Sequence, residues 1–278
     1  MSLRTLIFAA LLFCGPAHAV QRVITLAPNL AELACAAGGC DQLVGVVSYS
    51  DYPPQVAKLP HIGDAYALNL EQIIALKPDL ILSWPGGTSP QTVSRLRDLG
   101  LKVEPVTVQG LDGVADAIEH LGALLGTPAA AATAAIRYRQ RLQALRVRYR
   151  DAVKLRVMYQ IEASPAFTVN RRSTISDVIT LCGGINVFAG LPQIAAPVNK
   201  ESVIAANPDV VIYGRQDDAR AVREYWRAFG QATVEKNHDL YAVDDDLLAR
   251  STPRLLDGAA QVCAALDQAR AKRKPVVH

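Results

Sequence analysis

Two aromatic residues stand where an open α/β sheet would hold a ligand. Tyr49 and Trp84 each follow an aliphatic run that predicts a strand, Leu43–Val47 and Leu80–Ser83. Open α/β sheets bind ligands beyond the carboxyl ends of their strands, and such clefts combine aromatic faces with a few polar groups. Ordinary core packing of the two rings is the alternative. Their position after strands favours a binding site.

Catalytic chemistry is not indicated by any common motif. The sequence contains no G-x-S-x-G elbow, P-loop, G-x-G-x-x-G or H-E-x-x-H. The acidic run Asp244–Asp246 is typical of a solvated loop. We therefore expect a protein that binds rather than transforms, with no metal site and no cofactor of its own. The histidines beyond the first nineteen residues are widely scattered: His61, His120, His238 and His278.

The first nineteen residues predict a secretion signal that is cleaved. Arg4 supplies the positive start, Leu6–Cys14 is an apolar stretch far shorter than a membrane span, and Ala17-His18-Ala19 fits the cleavage rule. A lipid anchor on Cys14 is the alternative. Without this segment 28 basic and 26 acidic side chains remain. This near-neutral balance favours neither nucleic acid nor stable membrane insertion.

The elements that must position these residues alternate between strands and helices, which predicts parallel sheets covered by helices. The segment Asn69–Leu82 returns as Asn199–Ile212, with Asn, Glu, Ile, Ala, Pro and Asp at a constant offset of 130. A repeat at this spacing indicates duplicated domains. We predict an α/β fold of two Rossmann-like lobes, at residues 20–126 and 154–268.

One long helix is predicted to join the lobes. Residues 127–153 contain neither glycine nor proline after the first turn, and Thr127 with Pro128 fits a helix start. Such a helix is a rigid spacer. The basic residues of 269–278 are expected to form a frayed tail.

Cys35, Cys40, Cys182 and Cys263 remain after signal removal, an even number that suggests two disulfides in an exported protein. Sequence alone allows three pairings. The duplication places two cysteines in each lobe, which favours Cys35–Cys40 and Cys182–Cys263. Buried free thiols are the alternative.

The repeated segment also carries two equivalent acidic residues, Glu71 and Glu201. Each lies two positions after an asparagine, in the predicted first turn of a helix. A carboxylate there is stabilised by the helix dipole. A pseudo-two-fold axis would relate the two residues, so a symmetric partner is a second explanation.

Much of the chain resembles the periplasmic cobalamin-binding proteins of ABC importers, the helical-backbone class of solute-binding proteins. The resemblance lies in RVITLAPNLAELACAAG, VVSYSDYPPQ, LNLEQIIALKPDLILSW, SDVITLCGGINVF and STPR. It implies a periplasmic monomer that captures cobalamin or a related corrinoid between its lobes and delivers it to an inner-membrane permease dimer.

The resemblance also implies a set of site residues. Glu71 and Glu201 would dock onto arginines of the permease. The chain departs from the family at Ala65 and Ala195, where tryptophan is usual. The implied ligand contacts are Tyr49, Trp84, Ile161, Phe167, Asp246 and Arg250, with Tyr66 replacing the first missing tryptophan.

Three alternatives remain on the same scaffold. Haem would take an axial tyrosine, for which Tyr49, Tyr52 and Tyr66 are candidates. A ferric siderophore would require several converging arginines. A corrinoid scavenger that works without a transporter would leave Glu71 and Glu201 without a docking partner.

Overall fold

The computed structural model describes residues 20–64, 67–163, 165–230 and 232–273. The predicted signal segment 1–19 lies outside these residues, as do Ala65 and Tyr66. Among the helices of the described ranges, none is long and apolar enough to cross a membrane.

The first lobe is a four-stranded parallel sheet with helices on its faces. In the order β2-β1-β3-β4, β1 is central and fully buried, as its sequence Val-Ile-Thr suggests. Short 3₁₀ turns occupy Cys40–Gln42 and Val56–Lys58. The strands and helices are β1 (Val23–Thr25), α1 (Pro28–Ala36), β2 (Leu43–Val46), α2 (Leu70–Ala75), β3 (Leu80–Ser83), α3 (Pro90–Asp98), β4 (Val103–Pro105) and α4 (Gly113–Leu125).

The predicted long helix is present as α5 (Pro128–Tyr149), whose 22 residues span about 33 Å. It ends before the predicted Val153, because the chain must turn there to enter the second sheet. Thr127 holds the N-cap position but makes no capping bond. Its hydroxyl instead donates to the Ala37 carbonyl at 2.6 Å, and so satisfies an open acceptor at the end of α1.

The second lobe repeats the first and adds a small antiparallel sheet. Its parallel sheet has the order β11-β10-β5-β8, the same as the first lobe when β5 is matched to β1. The added sheet has the order β6-β7-β9. The elements are β5 (Leu155–Gln160), β6 (Glu162–Ala163), β7 (Ala166–Val169), α6 (Thr174–Leu181), β8 (Gly184–Asn186), β9 (Ala195–Val198), α7 (Lys200–Ala206), β10 (Val210–Gly214), α8 (Ala219–Arg227), α9 (Thr233–Lys236), β11 (Leu240–Val243), α10 (Asp245–Ala249) and α11 (Leu255–Arg273).

The repeated Pro-Asp sequence has a structural cause that is the same in both lobes. Asp79 accepts a hydrogen bond from the backbone N–H of Arg22 at 2.9 Å, and Asp209 accepts one from Arg156 at 2.8 Å. Each arginine side chain returns to a carbonyl at the end of the helix before the aspartate, at 2.7 Å in both lobes. These bonds fasten the start of the central strand to the helix-strand turn. The two-lobed parallel architecture is thus confirmed.

Both predicted disulfides are formed, one in each lobe: Cys35–Cys40 and Cys182–Cys263. The described part of the predicted frayed tail, however, belongs to α11, which continues to Arg273. Its last turn is anchored because the fully buried Asp239 pairs with Lys272 at 2.9 Å and with Arg273 at 2.7 Å. The expectation of fraying from residue 269 is therefore wrong up to Arg273.

Candidate functional site

The candidate cleft begins at the carboxyl edge of the first sheet. Tyr49 follows β2 and Trp84 follows β3, so the two residues flank the central strand β1. Strand order reverses at this point, and open α/β sheets bind ligands there. The predicted pair therefore shares one edge, as the sequence suggests.

Tyr49 has a backbone conformation that is rare for an aromatic residue. Its φ is 66°, in the left-handed region, and its side chain is 80% exposed. Bulky residues adopt this conformation only where surrounding contacts hold it. One such contact comes from the second lobe, because Nη2 of Arg250 donates to the Tyr49 carbonyl at 3.2 Å. Core packing of this ring is excluded by its exposure.

Trp84 lies on the glycine turn that follows it. A methyl group added at Gly86 would stand 2.5 Å from Cζ2 of the indole, and one at Gly87 would stand 2.7 Å from Cε3. The Gly87 and Thr88 amides close the turn by donating to the Trp84 carbonyl, at 3.0 and 2.7 Å. The glycines therefore let the ring rest on the backbone, while 38% of the residue stays exposed.

Ile161 and Phe167 occupy the corresponding edge of the second lobe. Ile161 directly follows β5, the counterpart of β1, and its N–H donates to the Phe167 carbonyl at 2.9 Å. Both side chains are half-buried. Phe167 pairs with Pro197 in the small sheet, and the exposed Ala195 lies two residues away on the same strand as Pro197. The small Ala195 side chain leaves open surface on this strand.

Asp246 and Arg250 lie in and directly after α10, one turn apart. Nη2 of Arg250 is 3.5 Å from Oδ1 of Asp246, whose other oxygen accepts from Gln216 at 3.2 Å. The Arg250 side chain is only 12% exposed, whereas that of Asp246 is 45% exposed. Asp246 therefore remains open to a ligand, and Arg250 is largely engaged.

The other side-chain partners of Arg250 come from the opposite lobe. Its Nη1 donates to Asp51 at 2.6 Å and to Glu32 at 3.1 Å. Glu32 also accepts two hydrogen bonds from Arg254, at 2.9 and 2.6 Å, and its side chain is only 2% exposed. We call Glu32, Asp51, Arg250 and Arg254 the inter-lobe cluster. Its hydrogen-bonded charges, of which Glu32 is the buried centre, fasten α10 and α11 to the first lobe.

Electrostatics favour the charged forms of Asp51, Arg250 and Arg254. Burial opposes ionisation of Asp51, but the Arg250 hydrogen bond and charge outweigh it and hold the pKa of Asp51 below its usual value. Burial likewise opposes ionisation of Arg250, yet its carboxylate partners raise its pKa. The hydrogen bond to Glu32 raises the pKa of Arg254.

The sequence alone did not indicate a functional role for Glu32, Asp51 or Arg254. A signal was available for Glu32, since it is the lone charged residue in the mostly apolar helix α1. Arg254 lies in the STPR segment, and its guanidinium stands 3.8 Å above the ring of Tyr52. The ring of Tyr52, one of the haem candidates, is therefore engaged by a cation.

The second-lobe edge beside Arg250 is acidic. The pKa of Asp217 is raised, chiefly by burial and further by repulsion from Asp245 and Glu162. The hydrogen bond that Asp217 accepts from the Gly214 amide opposes this shift but does not cancel it. Carboxylate oxygens at this edge can accept hydrogen bonds from the N–H groups of a ligand. Across the described residues, no cluster of histidine, cysteine and carboxylate side chains is suited to holding a metal ion.

The repeated glutamates lie on matching first turns. Asn69 and Asn199 cap their helices with side-chain oxygens 3.0 and 2.8 Å from the third helical amide. Glu71 and Glu201 are both exposed. Neither carboxylate has an ion-pair partner in the described ranges. Each helix runs back toward the start of the next strand, so these first turns lie toward the same sheet edges as the cleft.

Comparison with known proteins agrees with this geometry. The family model for periplasmic binding proteins matches residues 23–244. The chain is 38% identical over 247 residues to the vitamin B12-binding protein of Vibrio cholerae serotype O1, which covers 88% of this chain and 89% of that protein. The crystal structure of the periplasmic vitamin B12-binding protein of Vibrio cholerae superposes with a TM-score of 0.83 at 37% identity, over 90% of this chain and 98% of that one.

A haem-binding relative has the same fold at lower identity. The crystal structure of a periplasmic haem-binding protein from Pseudomonas aeruginosa gives a TM-score of 0.75 at 26% identity, over 88% of this chain and 92% of that one. Similarity in both sequence and structure is thus higher toward the vitamin B12-binding protein.

Proposed function

The chain belongs to the periplasmic binding protein family, and from this premise we propose that it captures cobalamin or a related corrinoid in the cleft between its lobes. The family works in the periplasm and binds solutes, in agreement with the expectation of a binding protein. The observation that carries the proposal is the Trp84 indole, laid on a Gly-Gly backbone at the strand-order switch and left partly exposed.

The chemistry of a corrinoid matches this cleft. The macrocycle is large, flat and mostly apolar, so aromatic surfaces such as Tyr49, Trp84 and Phe167 suit its faces. Its amide fringe needs acceptors and donors, for which the acidic edge with Asp246 and the guanidinium of Arg250 are the proposed contacts.

Isothermal titration calorimetry of the purified protein with cyanocobalamin, haemin and ferrichrome tests the proposal. We expect one site for cyanocobalamin with submicromolar affinity and no comparable binding of the other two. Trp84→Ala should weaken cyanocobalamin binding about tenfold or more, the usual cost of removing an aromatic hot spot. Leu99→Ala, an exposed apolar residue at the far end of α3, is the matched control. Saturable haemin binding without cyanocobalamin binding would sink the corrinoid assignment.

We further propose that the liganded protein, as a single copy, delivers its ligand to the permease dimer of an ABC importer through Glu71 and Glu201. Three observations support this role. Both residues are exposed, they occupy equivalent positions in the two lobes, and neither has an ion-pair partner among the described residues. Charge pairs at the rim of an interface set orientation and association rate. Glu71→Lys with Glu201→Lys should abolish stimulation of the importer while calorimetric ligand binding stays intact. Unimpaired stimulation would show that docking takes place elsewhere.

A further inference from the structure

Two exposed isoleucines occupy the same place in the duplicated helices. Ile74 on α2 and Ile204 on α7 are separated by the constant offset of 130 and are 49% and 62% exposed. Their neighbours Ile73 and Val203 are 0% and 1% exposed. Burial in the core explains why Ile73 and Val203 are aliphatic. It does not explain why the exposed positions that follow them are aliphatic as well.

Single exposed apolar residues are normal on protein surfaces, so exposure alone is not evidence. Ile185 and Ile194, for example, are 49% and 52% exposed outside the repeated segment. What distinguishes Ile74 and Ile204 is their recurrence beside a recurring charge. Each lies three residues after Glu71 or Glu201, and residues three apart share one face of a helix.

We propose that the faces Glu71–Ile74 and Glu201–Ile204 form one bipartite docking surface, in which each lobe presents a carboxylate next to an aliphatic contact. The occupant is a two-fold symmetric partner that offers, twice, a cationic side chain beside an apolar one. This inference rests on the proposed delivery to a permease dimer and adds the apolar half of each contact. Interface cores are apolar and charged rims surround them, so the isoleucines supply affinity and the glutamates supply orientation.

The two halves of this surface differ in a way that ranks their contributions. In the second lobe Lys200 precedes Glu201, whereas the uncharged Leu70 precedes Glu71. The exposed Lys200 offsets part of the local negative charge. Ile204 also borders a cavity of about 420 Å³ that is lined by Phe229, Asn207 and three small residues. The second-lobe half therefore depends more on its apolar contact than the first-lobe half does.

Biolayer interferometry tests this surface. It measures how the cobalamin-loaded protein binds the corrinoid permease dimer of its own organism, held in nanodiscs. Ile204→Ser should weaken binding about tenfold, Ile74→Ser less, and the double variant more than either. Ile185→Ser and Ile194→Ser, which match in exposure, should bind like the unaltered protein. All four positions are exposed, so folding should persist, and cyanocobalamin affinity verifies it.

The outcomes separate this inference from the proposal on which it rests. If Glu71→Lys with Glu201→Lys abolishes docking while both isoleucine variants bind as the unaltered protein does, the apolar half is wrong. If the charge-reversed protein still binds, or if the unaltered protein does not bind the permease, delivery through these helices is wrong. If all exposed isoleucine variants lose affinity equally, the surface is not specific and the inference is overturned.

Discussion

Glu32→Gln removes the buried charge at the centre of the inter-lobe cluster. Glu32 lies on α1 of the first lobe and accepts hydrogen bonds from Arg250 and Arg254 of the second, at distances from 2.6 to 3.1 Å. Its side chain is 2% exposed, and those of the two arginines are 12% and 23% exposed. Glutamine has nearly the same shape, so the change chiefly deletes charge and one acceptor.

The size of the effect follows from burial. Removing one partner of a buried ion pair costs about 3–5 kcal/mol, because the other charge stays buried without compensation. Arg250 keeps its 2.6 Å bond to Asp51, and Arg254 is partly exposed. We therefore expect a loss at the lower end, about 3 kcal/mol in the free energy of unfolding.

Equilibrium urea denaturation near neutral pH measures this loss. The matched control is Glu119→Gln, which breaks the pair with Arg139 at 2.6 and 2.8 Å on the surface, where both side chains are about 40% exposed. Surface pairs contribute about 0.5 kcal/mol. Equal losses for the two variants, or a loss below about 1 kcal/mol for Glu32→Gln, would refute the role assigned to buried charge in holding the lobes together.

Three further results are expected. Gly86→Ala places a methyl group against the Trp84 indole and should weaken cyanocobalamin binding about tenfold by calorimetry; unchanged affinity would mean that the ring is not a contact. The pKa of Asp51 is held below the ordinary 3.8, so its contact with Arg250 stabilises the protein above that pH and is lost as the pH falls through the lower folded value. Asp51→Asn should therefore make stability, measured by urea denaturation, fall less steeply with pH below about pH 4. An unaltered pH dependence would contradict this. Cys182→Ser with Cys263→Ser opens a loop of 81 residues and should lower the free energy of unfolding by about 4 kcal/mol. The loss for Cys35→Ser with Cys40→Ser should be only about 2 kcal/mol, because that loop is short. Equal losses would contradict the dependence on loop length.

The duplicated architecture could be predicted because its signals are local and repeated. The Pro-Asp turns recur at a fixed offset because Asp79 and Asp209 make the same backbone bond in each lobe. Tyr49 and Trp84 could be placed on one edge because both follow strands, and parallel strands share their carboxyl ends. The disulfide pairing followed from the same duplication.

The inter-lobe cluster could not be predicted, because its bonds join residues about 200 positions apart. Arg250 reaches Glu32 across 218 residues and Asp51 across 199. No periodicity or motif records such a pairing, and a lone acid in an apolar helix shows only that some cation must be near. The proposed ligand contact Arg250 thus has a second role, in lobe contact, that sequence could not show.

The residues at which α5 and α11 end could not be predicted from the local sequence either. Residues 150–153 resemble the preceding helix in composition, but the chain must leave it so that Leu155 can start β5. The basic residues after Ala269 resemble a tail, yet the buried Asp239 holds Lys272 and Arg273 in α11. In both cases tertiary contacts override the local pattern.

The central claim is that a corrinoid lies between the lobes, and the cobalt atom of cyanocobalamin allows a direct test. Crystals grown with cyanocobalamin and measured at the cobalt absorption edge give the metal position from anomalous scattering. The account predicts one strong peak between the Tyr49 and Trp84 edge of the first lobe and the Phe167 and Asp246 edge of the second. A peak elsewhere on the molecule, or a fully soaked crystal without one, would contradict it.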